Sequence, residues 1–228
     1  MLCLLFAMER ECEAFLQKIE SLHTARFGFT KVIEARHEGR SFLVAISGIG
    51  KGFAAAAVSA VASHYSVDAF INLGVAGSQN KEIADVFSCV IGSSYVEHDL
   101  DTSAIGDPVG LISGINVVSL PADTHLVSLL EESAAAIGIP VAKGVISSGD
   151  TFLSDHDAKA RITAMFHSLC LDMETAPYAQ IAYAYSVPYA SARVISDAEH
   201  PEIEYPKNVA RASALVSELA LKTVEFFR

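Results

Sequence analysis

The sequence predicts one α/β domain with a largely parallel sheet flanked by helices. Short apolar runs typical of strands alternate with helical stripes along the chain, as expected for strands joined by helical crossovers. Hydrophobic residues make up 51% of the 228 residues, enough for one large core, and no low-complexity segment or repeat of fixed period divides the sequence. We therefore expect residues 1–228 to fold as a single domain.

The first quarter of the chain predicts strands and helices around a glycine-rich turn. Residues 1–8 are apolar and lack the basic start of a signal peptide, so we expect a buried strand there. A helix should follow, with an apolar stripe at Cys12, Phe15, Leu16, Ile19 and Leu22. Strands are predicted at 27–38 and 41–47, before Gly48-Ile-Gly-Lys-Gly52 and an alanine-rich helix to about Ser63.

The middle and end of the chain continue the alternation of strands and helices. Asp123 or Thr124 suits the N-cap of a helix that Gly138 ends, and Asp155 suits the cap of another. The predicted elements are strands at 68–73, 86–93 and 141–147, helices at 124–137, 155–166 and 207–227, a glycine-rich turn at 74–78 and a polar loop at 97–108. Loops of this kind often carry functional side chains on a rigid scaffold.

Residues 169–197 predict the site of chemistry, because they read as strand, acid, helix, strand, acid. One apolar run ends at Glu174, and the next, which contains Arg193, ends at Asp197. Ligands of open parallel sheets bind at the carboxyl ends of the strands, so we expect the two carboxylates to share a site. A structural salt bridge to Arg193 fits the same spacing equally well.

Composition restricts the ligand and the cellular setting. The formal net charge of -11 disfavours nucleic acid and anionic membrane as partners and favours a small molecule. The four cysteines are far apart and form no CxxC pair, which is typical of reduced thiols in a cytoplasmic protein. His98, Asp99 and Asp101 form one polar loop rather than a metal site, and the turn at 48–52 lacks the dinucleotide fingerprint. These features predict neither a metal site nor a dinucleotide-binding turn.

Six motifs along nearly the whole chain resemble those of one enzyme family. They are Ala7-Met-Glu-Arg-Glu11, Ser47-Gly-Ile-Gly-Lys51, Asn72-Leu-Gly-Val-Ala-Gly77, Ser148-Gly-Asp-Thr-Phe152, Asp172-Met-Glu174 and Arg193-Val-Ile-Ser-Asp197. Together they are similar to the motifs of bacterial methylthioadenosine/S-adenosylhomocysteine nucleosidases, in the nucleoside phosphorylase superfamily. The resemblance implies a three-layer fold with a mixed sheet flanked by helices. It also implies a cofactor-free homodimer that hydrolyses the N-glycosidic bond of 5′-substituted adenine nucleosides.

The resemblance also implies roles for individual residues. Asp197 would be the general acid that protonates the purine at N7, and Glu11 the base that activates water, as in other glycoside hydrolysis. Arg193 would help to hold the water and Glu11. The residues that would contact the substrate are Met173 and Glu174 at the ribose, Phe152 and Leu153 at the base, Ser196 beside the acid, and Ile49, Val75, Gly77 and Ile105 in the substrate-lining motifs and loop.

Two positions depart from the family pattern and leave the substrate open. Val75 stands where a serine is usual, and Ile105 where an aromatic residue reaches the neighbouring subunit's 5′ pocket. Futalosine or 6-amino-6-deoxyfutalosine, nucleosides of menaquinone synthesis with a larger 5′ group, are therefore alternatives to methylthioadenosine. A phosphorylase of the same superfamily and a non-catalytic nucleoside-binding protein also remain open. The phosphorylase pattern has an arginine where this chain has Asn72.

Overall fold

A computed structural model describes all residues, 1–228, as ten strands and six helices. The strands are β1 Leu2–Phe6, β2 Glu20–Phe27, β3 Thr30–His37, β4 Arg40–Ile46, β5 Ala69–Ser78, β6 Cys89–Glu97, β7 Leu120–Pro121, β8 Val141–Ser148, β9 Ser168–Asp172 and β10 Tyr189–Asp197. The helices are α1 Glu9–Leu16, α2 Lys51–His64, α3 Thr124–Ala136, α4 His156–Phe166, α5 Thr175–Ala184 and α6 Pro201–Phe226.

The sheet is mixed, and part of it closes on itself. Its order is β10-β6-β8-β9-β5-β1-β4-β3-β2, and β10 also pairs with β5, so that β5, β10, β6, β8 and β9 form a ring. Helices α1, α3 and α6 pack on one apolar face, and α2 and α5 pack on the other. The predicted α/β fold with a mixed sheet between helical layers is confirmed. None of the six helices is long and apolar enough to cross a membrane.

The predicted first helix is too long. α1 ends at Leu16, and Leu22 lies in β2 with 45% of its surface exposed. β2 is an edge strand that pairs only with β3, and its residues 20–24 are all exposed. The spacing at Leu22 is therefore coincidental. The strand predicted at 27–38 is also divided, because Gly28 adopts a left-handed conformation (φ 59°) and turns the chain into a hairpin.

The predicted turn at 74–78 is instead part of strand β5. These residues pair with β10, where Arg193 lies opposite Gly74 and Asp197 opposite Gly77. The glycines are needed here because large side chains cross the strand, so they mark a close approach and not a turn. Two other boundaries also differ, since the strand predicted at 86–93 runs Cys89–Glu97 and the last helix begins at Pro201.

The helix caps predicted for the middle of the chain are confirmed. Asp123 accepts hydrogen bonds from the backbone N–H groups of His125 and Leu126, both at 3.0 Å. Asp155 accepts one from Ala158 N at 2.7 Å. Each aspartate satisfies N–H groups that the first turn of a helix leaves without an internal partner. These local signals fix the start of α3 and α4 independently of their packing.

The two carboxylate-bearing strand ends meet, but not at one edge of a parallel sheet as predicted. β10 runs parallel to β5, whereas β9 runs antiparallel to it. Gly77, near the end of β5, pairs with both Asp197 and Leu171, so β9 and β10 approach this point from opposite directions. The closure of the sheet brings their carboxyl ends together at the end of β5.

Candidate active site

A cavity of about 240 Å³ lies where β5, β9 and β10 converge. It is lined by Met8, Glu11, Ile49, Val75, Ala76, Gly77, Phe152, Leu171, Asp172, Met173, Glu174, Ser196, Asp197 and Tyr205. The structure thus brings most of the residues that sequence analysis selected to one place. Leu153 lines a small adjoining recess with Phe152 and Asp197. Arg193 lies beneath the cavity, and Ile105 lies outside it.

Glu11 is held in the first turn of α1 by three backbone N–H groups. Its Oε2 accepts hydrogen bonds from Ala7 N at 3.1 Å and Met8 N at 2.8 Å, and its Oε1 accepts one from Val75 N at 3.1 Å. Burial raises the pKa of Glu11, while the charge of Arg193 and the three N–H donors act in the opposite direction. Both oxygens therefore have fixed positions, and the carboxylate is a stronger base than an exposed glutamate.

Asp197 ends β10 and is 3% exposed. Its Oδ1 accepts a hydrogen bond from Ser196 Oγ at 2.6 Å, and a Cβ added at Gly77 would lie only 2.7 Å from Oδ2. Burial raises the pKa of Asp197, and the Ser196 hydroxyl partly offsets this by stabilising the ionised form. Asp197 therefore keeps its proton to a higher pH than an exposed aspartate, as a general acid requires.

Arg193 is the buried counter-charge of the site. Its Nη2 lies 2.6 Å from Asp172 Oδ2, 2.6 Å from Asn72 Oδ1 and 3.9 Å from Glu174 Oε2, and its Nε donates to Thr175 Oγ1 at 2.9 Å. Burial alone would lower the pKa of Arg193, but the surrounding carboxylates raise it, so the guanidinium stays charged. The salt bridge that the spacing allowed forms mainly with Asp172, and Asp197 takes no part in it.

Arg193 also lies next to Glu11 where the two side chains cross β5. A Cβ at Gly74 would lie 2.1 Å from Arg193 Nη1 and 2.7 Å from Glu11 Oε1. Only a residue without a side chain fits between these groups and the strand. The family resemblance implies that Arg193 helps to hold a water molecule and Glu11. The geometry supports an electrostatic effect on Glu11, because Arg193 does not line the cavity.

Glu174 faces the cavity at the N-terminus of α5. Its Oε1 accepts a hydrogen bond from Gly50 N at 2.9 Å. Burial, reinforced by the neighbouring Asp172, raises the pKa of Glu174 to about 8, although Arg193 and the Gly50 N–H favour ionisation. Gly50 has a φ of 95°, so the turn at 48–52 adopts the backbone that presents this N–H group. The N–H group of this turn thus binds the Glu174 carboxylate of the same chain.

Aromatic side chains form the outer wall of the cavity. Phe152 is 51% exposed and packs edge-to-face on Tyr205 of α6, with ring centroids 5.5 Å apart. The hydroxyl of Tyr205 accepts a hydrogen bond from Arg10. Tyr205 was not among the predicted site residues, because the last helix was predicted to begin at residue 207 and no motif marks this position. Met8 was also missed, although it stands inside the first motif.

Exposed apolar side chains lie near the mouth of the cavity. Ile49 is 51% exposed, and a Cβ on the adjacent Gly48 would touch both Phe29 and Phe53, whose rings stack 4.7 Å apart. Ile105 is 82% exposed, in a 3₁₀ turn spanning Ser103–Ile105. Within one chain Ile105 contributes nothing to the cavity. The exposed cluster of Ile49, Phe29 and Phe53 is typical of a protein–protein contact.

The polar loop after β6 is held together by its own acids. Asp99 accepts hydrogen bonds from Lys51 Nζ at 2.6 Å and from Asp150 N at 2.9 Å, and Asp101 accepts one from Ser103 N at 2.8 Å. A different group, His37, Glu38 and Glu225, has ligand atoms close enough for a cation, but its members are partly or fully exposed. None of the three lines the cavity.

Comparisons with known proteins identify relatives of similar sequence and fold. The profile of the phosphorylase superfamily matches residues 2–225. A 5′-methylthioadenosine/S-adenosylhomocysteine nucleosidase of Bacillus subtilis is 30% identical, with 98% of each chain covered. An aminodeoxyfutalosine nucleosidase of Campylobacter jejuni is 26% identical over the same share of each chain. The Neisseria meningitidis methylthioadenosine/S-adenosylhomocysteine nucleosidase, solved with methylthio-immucillin-A, superposes with a TM-score of 0.93 at 28% identity, covering 99% of both chains.

Proposed function

Because the chain belongs to the phosphorylase superfamily and, within it, to the 5′-methylthioadenosine/S-adenosylhomocysteine nucleosidase family, we propose that it is an N-glycosyl hydrolase. It releases the purine base from 5′-substituted adenine nucleosides. The observation that carries the proposal is the pair of buried carboxylates, Glu11 and Asp197, that line one small cavity together with Glu174. One acid for the leaving group and one base for water are what glycoside hydrolysis needs.

Asp197 is the general acid in this proposal. A purine anion is a poor leaving group, so protonation at N7 lowers the barrier to cleavage. The raised pKa of Asp197 keeps its proton available to a higher pH than in an exposed aspartate. Gly77 leaves Oδ2 free of contact with a side chain on β5, and the Ser196 hydroxyl fixes the other oxygen.

Glu11 is the base that orients and activates water. Its carboxylate is immobilised by Ala7, Met8 and Val75, so a water molecule bound to it meets the sugar from a fixed direction. Arg193 stabilises the ionised form of Glu11 from below the cavity. Val75 contributes its backbone N–H to this arrangement, which explains why the side chain at this position need not be serine.

The ribose and the base contact the remaining cavity residues. Glu174 accepts hydrogen bonds from the ribose hydroxyls, and these donors favour its ionised form, which burial otherwise disfavours. Met173 packs on the sugar. Phe152 stacks on the base, and the backbone of Leu153 meets the base edge in the adjoining recess.

Water rather than phosphate is the nucleophile in this proposal. Phosphate binding needs cationic donors, and no lysine or arginine lines the cavity, whereas four carboxylates do. Asn72, at the position of the phosphorylase arginine, is fully buried and binds Arg193, Thr175 and Ser191 through its Oδ1. A phosphate dianion would therefore meet carboxyl groups and no cationic donor on the cavity wall.

The active form is a homodimer in this proposal. A second copy would cover the apolar surface formed by Ile49, Phe29 and Phe53, and its Ile105 would close the 5′ end of the cavity. Isoleucine offers less surface to a methylthio group than an aromatic ring, so a bulky 5′ substituent should be accepted at least as well as methylthioadenosine.

A panel of 5′-substituted nucleosides tests the proposal, with release of free base as the measurement. We expect base release from methylthioadenosine, S-adenosylhomocysteine and 6-amino-6-deoxyfutalosine, with the last cleaved at least as efficiently in direct competition. Absence of base release from every member of the panel by the folded protein would contradict the proposed function. A strong preference for methylthioadenosine would contradict only the relaxed 5′ selectivity.

A further inference from the structure

Lys159 is a buried lysine that none of the roles above uses. It projects from α4, is 8% exposed, and lines the recess that also contains Phe152, Leu153 and Asp197. On its other side it borders a larger cavity of about 710 Å³. Lysine is seldom buried unless its ammonium group has defined partners. The partners of Lys159 therefore indicate what it does.

The ammonium group of Lys159 holds the backbone that follows Asp197. Lys159 Nζ donates to Ala198 O at 2.7 Å, and Ala198 N donates to Glu204 Oε2 at 2.6 Å. The other carboxylate oxygen of Glu204 accepts from His200 N at 3.3 Å. The residue directly after Asp197 is thus held by two charged side chains of opposite sign, one from α4 and one from α6.

These two side chains also set the electrostatic surroundings of Asp197. The titratable groups that share a cavity with Asp197 or act on its charge are Lys159 of α4, Glu204 and Tyr205 of α6, Asp172 of β9, Glu11 of α1, and Glu174 at the start of α5. Lys159 is the one cation among them. Its charge lowers the pKa of Asp197 against the effect of burial, whereas Glu204 raises it. Asp197 in turn favours the charged form of Lys159, whose pKa burial lowers.

We propose that Lys159 is a positioning residue for Asp197. It fixes the backbone at Ala198, directly after Asp197, and it is the one cation that faces the Asp197 carboxyl group. This inference rests on the proposed role of Asp197 as the acid. Glu204 of α6 holds the same residue, Ala198, through its backbone N–H group and adds a negative charge near Asp197. Together the two charges shift, in opposite directions, the pH range in which buried Asp197 holds a proton, and so the upper pH limit of base release.

The pH profile of kcat/KM tests the inference with charge variants of both partners. K159M should move the basic limb to higher pH by about 0.5 to 1 pH unit, because Asp197 loses a facing cation. E204Q keeps an acceptor for Ala198 N and removes a negative charge, so its basic limb should move to lower pH. K159R should keep the limb in place. K81M is the matched control, since Lys81 borders the larger cavity and pairs with Glu199, and it should leave the limb unmoved.

Opposite shifts in K159M and E204Q are an outcome that a purely structural role would not produce. The inference is wrong if both variants move the limb in the same direction or leave it unmoved, or if K159R moves it as far as K159M. If K159M does not fold, K159Q provides the same comparison. Carboxyl-carbon NMR titration of Asp197 measures these shifts without turnover. A wild-type protein that released no base would therefore contradict the proposed function and leave this inference testable.

Discussion

Burial, rather than a direct ion pair, is the main influence on the pKa values of the two proposed acid–base residues, Glu11 and Asp197. Asp197 has one hydroxyl on its carboxylate, and Glu11 has three backbone N–H groups, yet burial is the largest influence on both pKa values. E11Q and D197N should each reduce kcat/KM by about a hundredfold or more, as expected for lost acid–base groups, while the fold is retained. E13Q is the control, because Glu13 is exposed on the same helix as Glu11. Near-normal turnover of a folded E11Q or D197N would assign that carboxylate a structural role.

Glu174 predicts a dependence of stability on pH. Its pKa is raised to about 8 from the ordinary value of 4.5, so between these pH values the folded state binds more protons than the unfolded state. The contribution of Glu174 to stability is therefore fully present below about pH 4.5 and is lost as pH rises through about 8. E174Q keeps an acceptor for Gly50 N and stays neutral. Its Tm should exceed that of wild type by about 5 °C or more at pH 9, and the difference should shrink toward pH 5.

Calorimetry across this pH range measures the effect of E174Q directly. E13Q again serves as the control, and its Tm difference from wild type should stay small and nearly constant. A Tm difference for E174Q that decreases as pH rises would mean that Glu174 is stabilised in its ionised form by Arg193. E174Q should also weaken nucleoside binding, because the amide nitrogen donates and cannot accept. One of the two acceptor atoms available to the ribose hydroxyls is therefore lost.

At the scale of elements, the glycines of β5 allow the ends of β9 and β10 to meet. Gly77→Ala places a Cβ 2.7 Å from Asp197 Oδ2, so the carboxylate must move. We expect kcat/KM to fall by about tenfold or more, with a smaller effect on stability, because a displacement of this kind misaligns the acid. Gly52→Ala is the matched control: Gly52 lies in α2 with no atom within 4 Å of an added Cβ, and alanine there should stabilise the helix by about 0.5 to 1 kcal/mol. Unchanged activity in Gly77→Ala would show that Asp197 tolerates displacement.

The elements also show what the sequence could predict. Local chemistry, such as the capping aspartates Asp123 and Asp155, gave correct helix starts, and the motifs located Glu11, Glu174 and Asp197 in one cavity. Contacts between residues far apart in the sequence could not be predicted from it. The antiparallel approach of β9 to β5 depends on closure of the sheet, and Lys159 reaches Ala198 across 39 positions of sequence. Neither has a local signature.

At the scale of the whole molecule, exposed apolar side chains predict a homodimer. Ile105→Asp should weaken the dimer, because a charge would replace an apolar contact, and it should reduce kcat/KM for 5′-substituted nucleosides if the partner closes the cavity. Ile83→Asp is the control, since Ile83 is 55% exposed and does not line the cavity. Light scattering measures the mass. A wild-type monomer with full activity would contradict the prediction.

The cavity as a whole, with four carboxylates and no lysine or arginine on its walls, predicts hydrolysis by water. The most direct test is to identify the sugar product and the phosphate dependence of base release from methylthioadenosine or 6-amino-6-deoxyfutalosine. We expect equal rates of base release with and without inorganic phosphate, and one free 5′-substituted ribose for each base. Base release that requires phosphate and yields the ribose 1-phosphate would contradict it.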